Sequence, residues 1–269
     1  FRRVLFRSRL DQTSFPLDPQ TLYHDNGVSV RLMDAYTTSS SSNLYLTFEL
    51  DAEQSEVDSI EVGYVSFNGV MFDSVLYSAF QAESIHKNER LRFTMAFQLS
   101  DLALQGITTI QDIGFSLALR GNGGQWDTQT WHRLTPSSGG EADAAQTQID
   151  SRLEGARVVW DRNGVCISQL RGLTAGTYTR DFYIENNTPF LISLSGRDMT
   201  VNGTENSDMF FYIDAIAPGK SAFVTLALTL SQVEEGSISE IERAGFRLLV
   251  TKPAENALLF VTDTIEVTF

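Results

Sequence analysis

Cysteine is almost missing from this chain. Cys166 is the only one in 269 residues, so no disulfide can close within it, which excludes the stapled small secreted scaffolds. Three histidines, His24, His86 and His132, are present; no two stand four residues apart and none has cysteine company, which excludes the common zinc spacings. No apolar run approaches the roughly 20 residues of a membrane-spanning helix. Bases are scarce, with 20 Lys+Arg against 34 Asp+Glu, a formal net charge of −14 and a pI ≈ 4.6. A field of that sign repels phosphates and argues against nucleic acid or an anionic membrane surface as a partner. There is no G-x-S-x-G elbow, no P-loop and no dinucleotide fingerprint, and no long helix of 3.6-residue period.

What the chain does contain is one phrase written twice. "LSDLALQGITTIQDIGFSL" (99–117) and "LSQVEEGSISEIERAGFRL" (230–248) match at an offset of 131, joining Ser100 to Ser231, Leu102 to Val233, Ile107 to Ile238, Gly114 to Gly245 and Phe115 to Phe246. Upstream, Phe93, Met95 and Phe97 fall on Val224, Leu226 and Leu228 at the same offset. Asn68-Gly69 answers Asn202-Gly203 at 134, and Asn26-Gly27-Val28 answers Asn163-Gly164-Val165 at 137. The offset grows in steps of three, as loop insertions would make it; the polar stretch "TTSSSSN" (37–43) is the expected place for one. A unit of more than a hundred residues is a duplicated domain, far longer than a solenoid or propeller repeat.

Period-two alternation predicts half-buried strands. It is clearest in "LYLTFEL", where Leu44, Leu46, Phe48 and Leu50 take one face while Tyr45, Thr47 and Glu49 take the other. The same pattern runs through "VSVRL", "SIEVGYVSF", "RLRFTMAFQL" and "IGFSLAL", then through "VCISQL", "RDFYIEN", "SAFVTLALTL", "GFRLLV", "ALLFV" and "TIEVTF". Asn-Gly pairs beside such runs favour tight hairpins. In the repeated phrase, Ser231 with Glu234 has capping-box spacing and Ser100 precedes Asp101, so each copy is expected to open one short helical turn there, closed near Gly106 or Gly236. The fold class is therefore all-β: two tandem antiparallel β-sandwiches of immunoglobulin-like type, seven to nine strands each, arising from an internal duplication.

The expected partition is a first sandwich at 21–134, a linker at 135–155 rich in small and polar residues with a short helix near its end, and a second sandwich at 156–269. The opening "FRRVLFRS" (1–8) is Arg-rich in an acidic chain and resembles one reading frame of a sequencing-library adapter. Read as a scar on a metagenomic fragment, it is set aside from fold reasoning. Without Arg2, Arg3 and Arg7 the chain has 17 bases against 34 acids, a net −17.

Candidate sites are few. Cys166 lies in an alternating strand with no histidine or basic company, and reads as structural. "HDNG" (24–27) and "DRNG" (161–164) lack the further acids of a calcium loop and read as turns; "RGNGGQW" (120–126) reads as a mobile hairpin loop. The carboxylates of "QVEEGSISEIER" are expected on a solvated face. No catalytic residue, metal ligand or cofactor-binding residue is expected. The one binding-platform candidate is aromatic: Trp126, Trp131 and Trp160, with Phe210, Phe211 and Tyr212 of "MFFYID", could stack sugar rings or a partner protein. A platform of this kind requires at least two Trp rings exposed and coplanar on one sheet face.

In the second copy, "FYIENNTPFLISLSGRDMTVNG", "IAPGKSAFVTLALTLSQVEEGSISEIERAGFRLLV" and "VTDTIEVTF" together resemble a family of uncharacterised immunoglobulin-like, telokin-like domains. These occur in surface proteins and lipoproteins of Gram-positive, often gut-dwelling, bacteria. The matching features are the "IENN" strand end, Asn202-Gly203, Pro218-Gly219-Lys220, the Ser231 turn and Asp263-Thr264, spanning most of residues 161–269. In the first copy "FELDAEQ" stands in place of "IENN", and only Asp127-Thr128 matches the ending. The resemblance implies a location outside the cell or in its envelope, held by an anchor that this fragment lacks. It also implies a spacer, adhesion or protein-binding role, and no catalytic residues. The expectation is a non-enzymatic surface module with an unidentified protein or glycan partner. The alternative is a carbohydrate-binding accessory module of a larger secreted enzyme, and a third reading is a hydrolase with a carboxylate site across the two-domain cleft.

Overall fold

A computed structural model describes residues 12–14, 19–38, 42–72, 80–107, 109–135, 149–171, 179–206, 209–228 and 241–268. The chain forms two compact units: Phe1–Gly63 with Ser74–Ala142, and Tyr64–Asp73 with Asp143–Phe269. The strands are β1 (Gln12–Ser14), β2 (Gln20–Asp25), β3 (Val28–Thr38), β4 (Asn43–Asp51), β5 (Val57–Phe67), β6 (Val70–Met71), β7 (Phe80–Ile85), β8 (Arg90–Gln98), β9 (Ile113–Gly121) and β10 (Trp126–Leu134). They continue with β11 (Arg157–Arg162), β12 (Val165–Gln169), β13 (Thr179–Asn186), β14 (Ile192–Val201), β15 (Thr204–Glu205), β16 (Met209–Phe210), β17 (Tyr212–Ile216), β18 (Lys220–Leu228), β19 (Arg243–Lys252), β20 (Ala257–Val261) and β21 (Ile265–Thr268). Each alternating run singled out above has one of these strands along most of its described residues, and the all-β sandwich class is what the chain adopts.

In the first unit one sheet runs β1-β3-β4-β8 with β2 also on β3, and the other runs β10-β9-β5 with β7 also on β5. The central strand β4 shows why. Leu44, Leu46, Phe48 and Leu50 are fully buried on one face, while Glu49 and Asp51 on the other meet Arg92 and Arg90 across the antiparallel β4–β8 ladder. Between the two sheets Phe48 meets Phe115 edge-on, centroids 5.5 Å apart at 75°. Burying each such ring contributes about 2–3 kcal/mol, and the edge-to-face geometry adds about 1 kcal/mol.

The second unit repeats the plan. One sheet has β18-β13-β12-β11, with β16 also on β18, and the other has β15-β14-β19-β20, with β17 on β14 and β21 on β19. Its core gathers Val165, Ile167, Phe182 and Ile184 from the first sheet with Leu194, Phe246, Leu248 and Val250 from the second. Phe182 meets Phe246 edge-on at 5.8 Å and 86°, the same cross-sheet pair as Phe48 and Phe115 at offsets of 134 and 131. The hairpins repeat as well. Asn26 and Gly27 have φ of 51° and 69°, and Asn163 and Gly164 have 54° and 77°. Asn68-Gly69 (51°, 83°) and Asn202-Gly203 (50°, 86°) form the second matched pair. All four turns require the left-handed region that Asn and Gly enter at low cost. Even single loop bonds recur: Asn88 N–H donates to Ala52 O at 2.6 Å, and Gly219 N–H to Asn186 O at 2.8 Å.

Residues 64–73, placed by the sequence in the first copy, belong to the second unit, where Ser221 N–H donates to Gly69 O at 3.0 Å, Val70 pairs in parallel with Ser221, and Met71 joins the core. Residues 149–153 are helical and also belong to this unit, with Ile149 buried and the Arg152 guanidinium 3.9 Å above the Phe223 ring. The first helical turn forms as α1 (Leu99–Leu104), but Ser100 lies inside it. The N-cap is Gln98 and makes no side-chain hydrogen bond, so the Ser100 side chain does not cap. Its closure is as the glycine implied: Gly106 has φ +80°, and Ile107 N–H reaches back to Leu102 O at 2.9 Å. The turn at Ser231, the carboxylates of 232–240, the opening octapeptide and linker residues 136–148 lie outside the described residues.

Candidate functional site

The three tryptophans do not share a face. Trp126 and Trp131 both stand on β10, an odd number of residues apart, so the pleat sends them to opposite sides. Trp126 pairs with Gly121 and its ring packs on that glycine and near Tyr23, centroids 6.4 Å apart. Trp131 lies opposite Ser116 on the outer side, 36 % exposed. Trp160, in the second unit, is 9 % exposed and stacks on Phe260 at 5.5 Å.

The "MFFYID" run behaves differently. Phe211 is buried against Phe182 and Phe246 in the core, whereas Phe210 and Tyr212, two residues apart, are 63 % and 47 % exposed with centroids 6.1 Å apart. The chain passes here from the edge of β18, where Phe210 pairs with Ala227, to the edge of β14, where Tyr212 pairs with Ser195. Tyr212 OH donates to Asp214 Oδ1 at 3.1 Å. On the same outer face β14 presents Ser193 and Ser195, alternating with the buried Ile192 and Leu194, and the Ser193 hydroxyl lies 2.6 Å from that of Thr251 on β19. This hydroxyl floor beside the aromatic pair was missed from the sequence. Its signal is the alternation Ile-Ser-Leu-Ser at 192–195, which sends both serines outward.

Ionisable groups elsewhere are taken up by structure. Glu49 and Asp51 are held by Arg92, at 2.7 Å, and by Arg90, whose own pKa is raised by its hydrogen bond to Asp51. Arg133 donates to Asp112 at 2.9 Å, and the Thr225 hydroxyl donates to Asp181 at 2.6 Å. Burial pushes the Cys166 thiol up, and the neighbouring Asp161 and Glu185 push it further, so it is a poor nucleophile. His132, on β10, stacks on Phe115 at 5.6 Å and lies 2.8 Å from the Thr130 hydroxyl; burial lowers its pKa. His24 precedes the Asn26-Gly27 turn, and His86 lies 4.0 Å from Glu56 on the surface. Among the described residues no three His, Cys, Asp or Glu side chains gather as a metal site would require, and no helix is long and apolar enough to cross a membrane.

No family model and no curated protein matches the chain. Among solved structures it is similar to a protein of unknown function from Porphyromonas gingivalis W83, with 11 % identity over 84 % of this chain and 91 % of that one, at a TM-score of 0.24. The Salmonella enterica SafA pilin in complex with the SafB chaperone gives 9 % identity over 84 % and 89 %, at 0.21. The E. coli chaperone DraB gives 13 % over 86 % and 90 %, at 0.20. Similarities at these scores carry no argument about function.

Proposed function

We propose that this chain is a non-enzymatic module of two β-sandwiches, duplicated from one ancestral domain, which stands outside a bacterial cell as a spacer and offers its sheet faces and edges to a protein partner. The observation that supports this reading is the doubling itself. Strand order, two Asn-Gly hairpins and one cross-sheet phenylalanine pair are each built twice. Repeating a self-contained fold extends a chain and multiplies its surfaces without assembling a reaction centre. The buried carboxylates agree with this, because Glu49, Asp51 and Asp181 are committed to cross-strand partners. The envelope setting rests on the family resemblance of residues 161–269 alone.

Single-molecule force extension of the whole chain tests the spacer role. Two unfolding events are expected, together releasing roughly 80 nm of contour length, since about 228 residues extend at up to ~3.6 Å each. A chain that extends without any resisting event would refute a load-bearing spacer.

A further inference from the structure

We infer that the outer face of the β17-β14-β19 sheet in the second unit is a binding site for a neutral glycan, with Phe210 and Tyr212 as its stacking wall and Ser193, Ser195, Thr251 and Asp214 as its polar floor. The inference goes beyond the reading above, keeping the binding role but giving this one face a glycan rather than a protein partner. Two exposed aromatic rings 6.1 Å apart are costly to leave in water, and they sit together although the buried Phe211 lies between them in sequence. Ring faces of this kind match the C–H faces of a pyranose. The floor beside them selects the ligand class. Ser195 is the direct cross-strand neighbour of Tyr212, Leu249 follows it on β19, and the Ser193–Thr251 hydroxyl pair comes next.

Small hydroxyls leave room above the sheet and offer both donors and acceptors, as sugar hydroxyls require. Asp214, hydrogen-bonded to Tyr212 OH, holds acceptor capacity at the aromatic end, and the acidic balance of the whole chain disfavours an anionic ligand. A polar floor is equally wrong for the apolar stripe of a partner helix, which would bury hydroxyls whose bonding capacity the Ser193–Thr251 pair fills only in part.

The test is native affinity electrophoresis of the whole chain in gels containing neutral polysaccharides (xyloglucan, galactomannan, laminarin, soluble starch) and, in parallel, polygalacturonate and heparin. Retardation by at least one neutral polysaccharide is expected. Calorimetry with its oligosaccharide should then show a loss of affinity of tenfold or more in the Phe210→Ala/Tyr212→Ala variant and none in Trp131→Ala. Both rings lie on the surface, so an unchanged circular dichroism spectrum and melting temperature certify the variant fold. Wild-type protein unretarded in every neutral gel, retardation by the two anionic polymers alone, or undiminished affinity in the double variant would each overturn the inference. Two force-extension events in a chain that binds no glycan would sink this site while leaving the spacer reading standing.

Discussion

Asn186 closes the "IENN" strand end, and removing its amide should cost the second unit about 3 kcal/mol. The side chain is fully buried and uses every bonding position, three on the local turn at 188–190 and one on Ile216 of β17. Its Nδ2 donates to Phe190 O and to Ile216 O, both at 2.8 Å, while its Oδ1 accepts from Thr188 N–H at 3.0 Å and from the Thr188 hydroxyl at 2.7 Å. In Asn186→Ala the Ile216 carbonyl is left buried without its partner, about 1–3 kcal/mol, and the bonds at the more exposed rim add about 0.5–1 kcal/mol together as water replaces them. The backbone frame itself does not need the amide. Ala52, the equivalent residue 134 positions earlier, is fully buried and keeps its own backbone bonds to Glu89 O and from Asn88 N–H.

Asn186→Asp should be worse than alanine at pH 7, because a carboxylate sets acceptors against two carbonyl oxygens. Burial and those oxygens raise the folded-state pKa of the introduced acid above its unfolded value of about 3.9. The variant is then most stable below that value and loses stability as pH rises through the folded pKa. Urea unfolding reports both effects through Trp160, in a background where Trp126 and Trp131 are phenylalanine. A loss below 1 kcal/mol for alanine, or an aspartate variant indifferent to pH, would refute the reasoning.

Two further outcomes follow from the first unit. A Cβ at Gly121 would press into the Trp126 indole and lie 2.6 Å from Glu56 O, so Gly121→Ala should destabilise by about 1–3 kcal/mol, read as a lower urea midpoint with a shifted Trp126 emission. Burial holds the His132 pKa below 6.5, so its contribution to stability is present above that value and is lost as pH falls through the folded pKa. His132→Gln should flatten the unit's stability between pH 5 and pH 7, and NMR titration of the ring should give a midpoint below that of an ordinary histidine.

The framework was legible in the sequence because its signals are local. Strict alternation in "LYLTFEL" needs only the pleat, and Asn-Gly needs only a positive φ. Strands β10 and β11 were harder. "WDTQTWHRL" sends a tryptophan to each face, and "RVVWDR" carries a register shift between Val158 and Trp160 that breaks the period. The tryptophan platform failed to assemble for the same reason, since parity along β10 separates Trp126 from Trp131. The glycan face could not be read from one segment: Tyr212, Ser195 and Thr251 come from three strands whose adjacency is set by pairing alone. Residues 64–73 illustrate the limit again, since nothing in "FNGVMF" states that Val70 will pair with Ser221.

Where the two halves diverge is itself informative, because corresponding outer faces solve one problem in different ways. On β4 and β8 of the first unit, Glu49 with Arg92 and Asp51 with Arg90 form cross-strand ion pairs. At the equivalent places on β13 and β18 the second unit has Tyr183 with Phe223 and Glu185 with Ser221. An aromatic pair there needs cover, and the helical residues 149–153 supply it, with Arg152 lying over Phe223. The desolvation that lowers the Arg152 pKa and raises that of Tyr183 marks how closely this cover fits. Inner faces, by contrast, keep the same phenylalanine pair. Close packing penalises change between the sheets, while an outer face needs only to be paired, covered or left for a ligand. That freedom is what allowed β14 and β17 to acquire a hydroxyl floor beside two exposed rings without disturbing the fold beneath them.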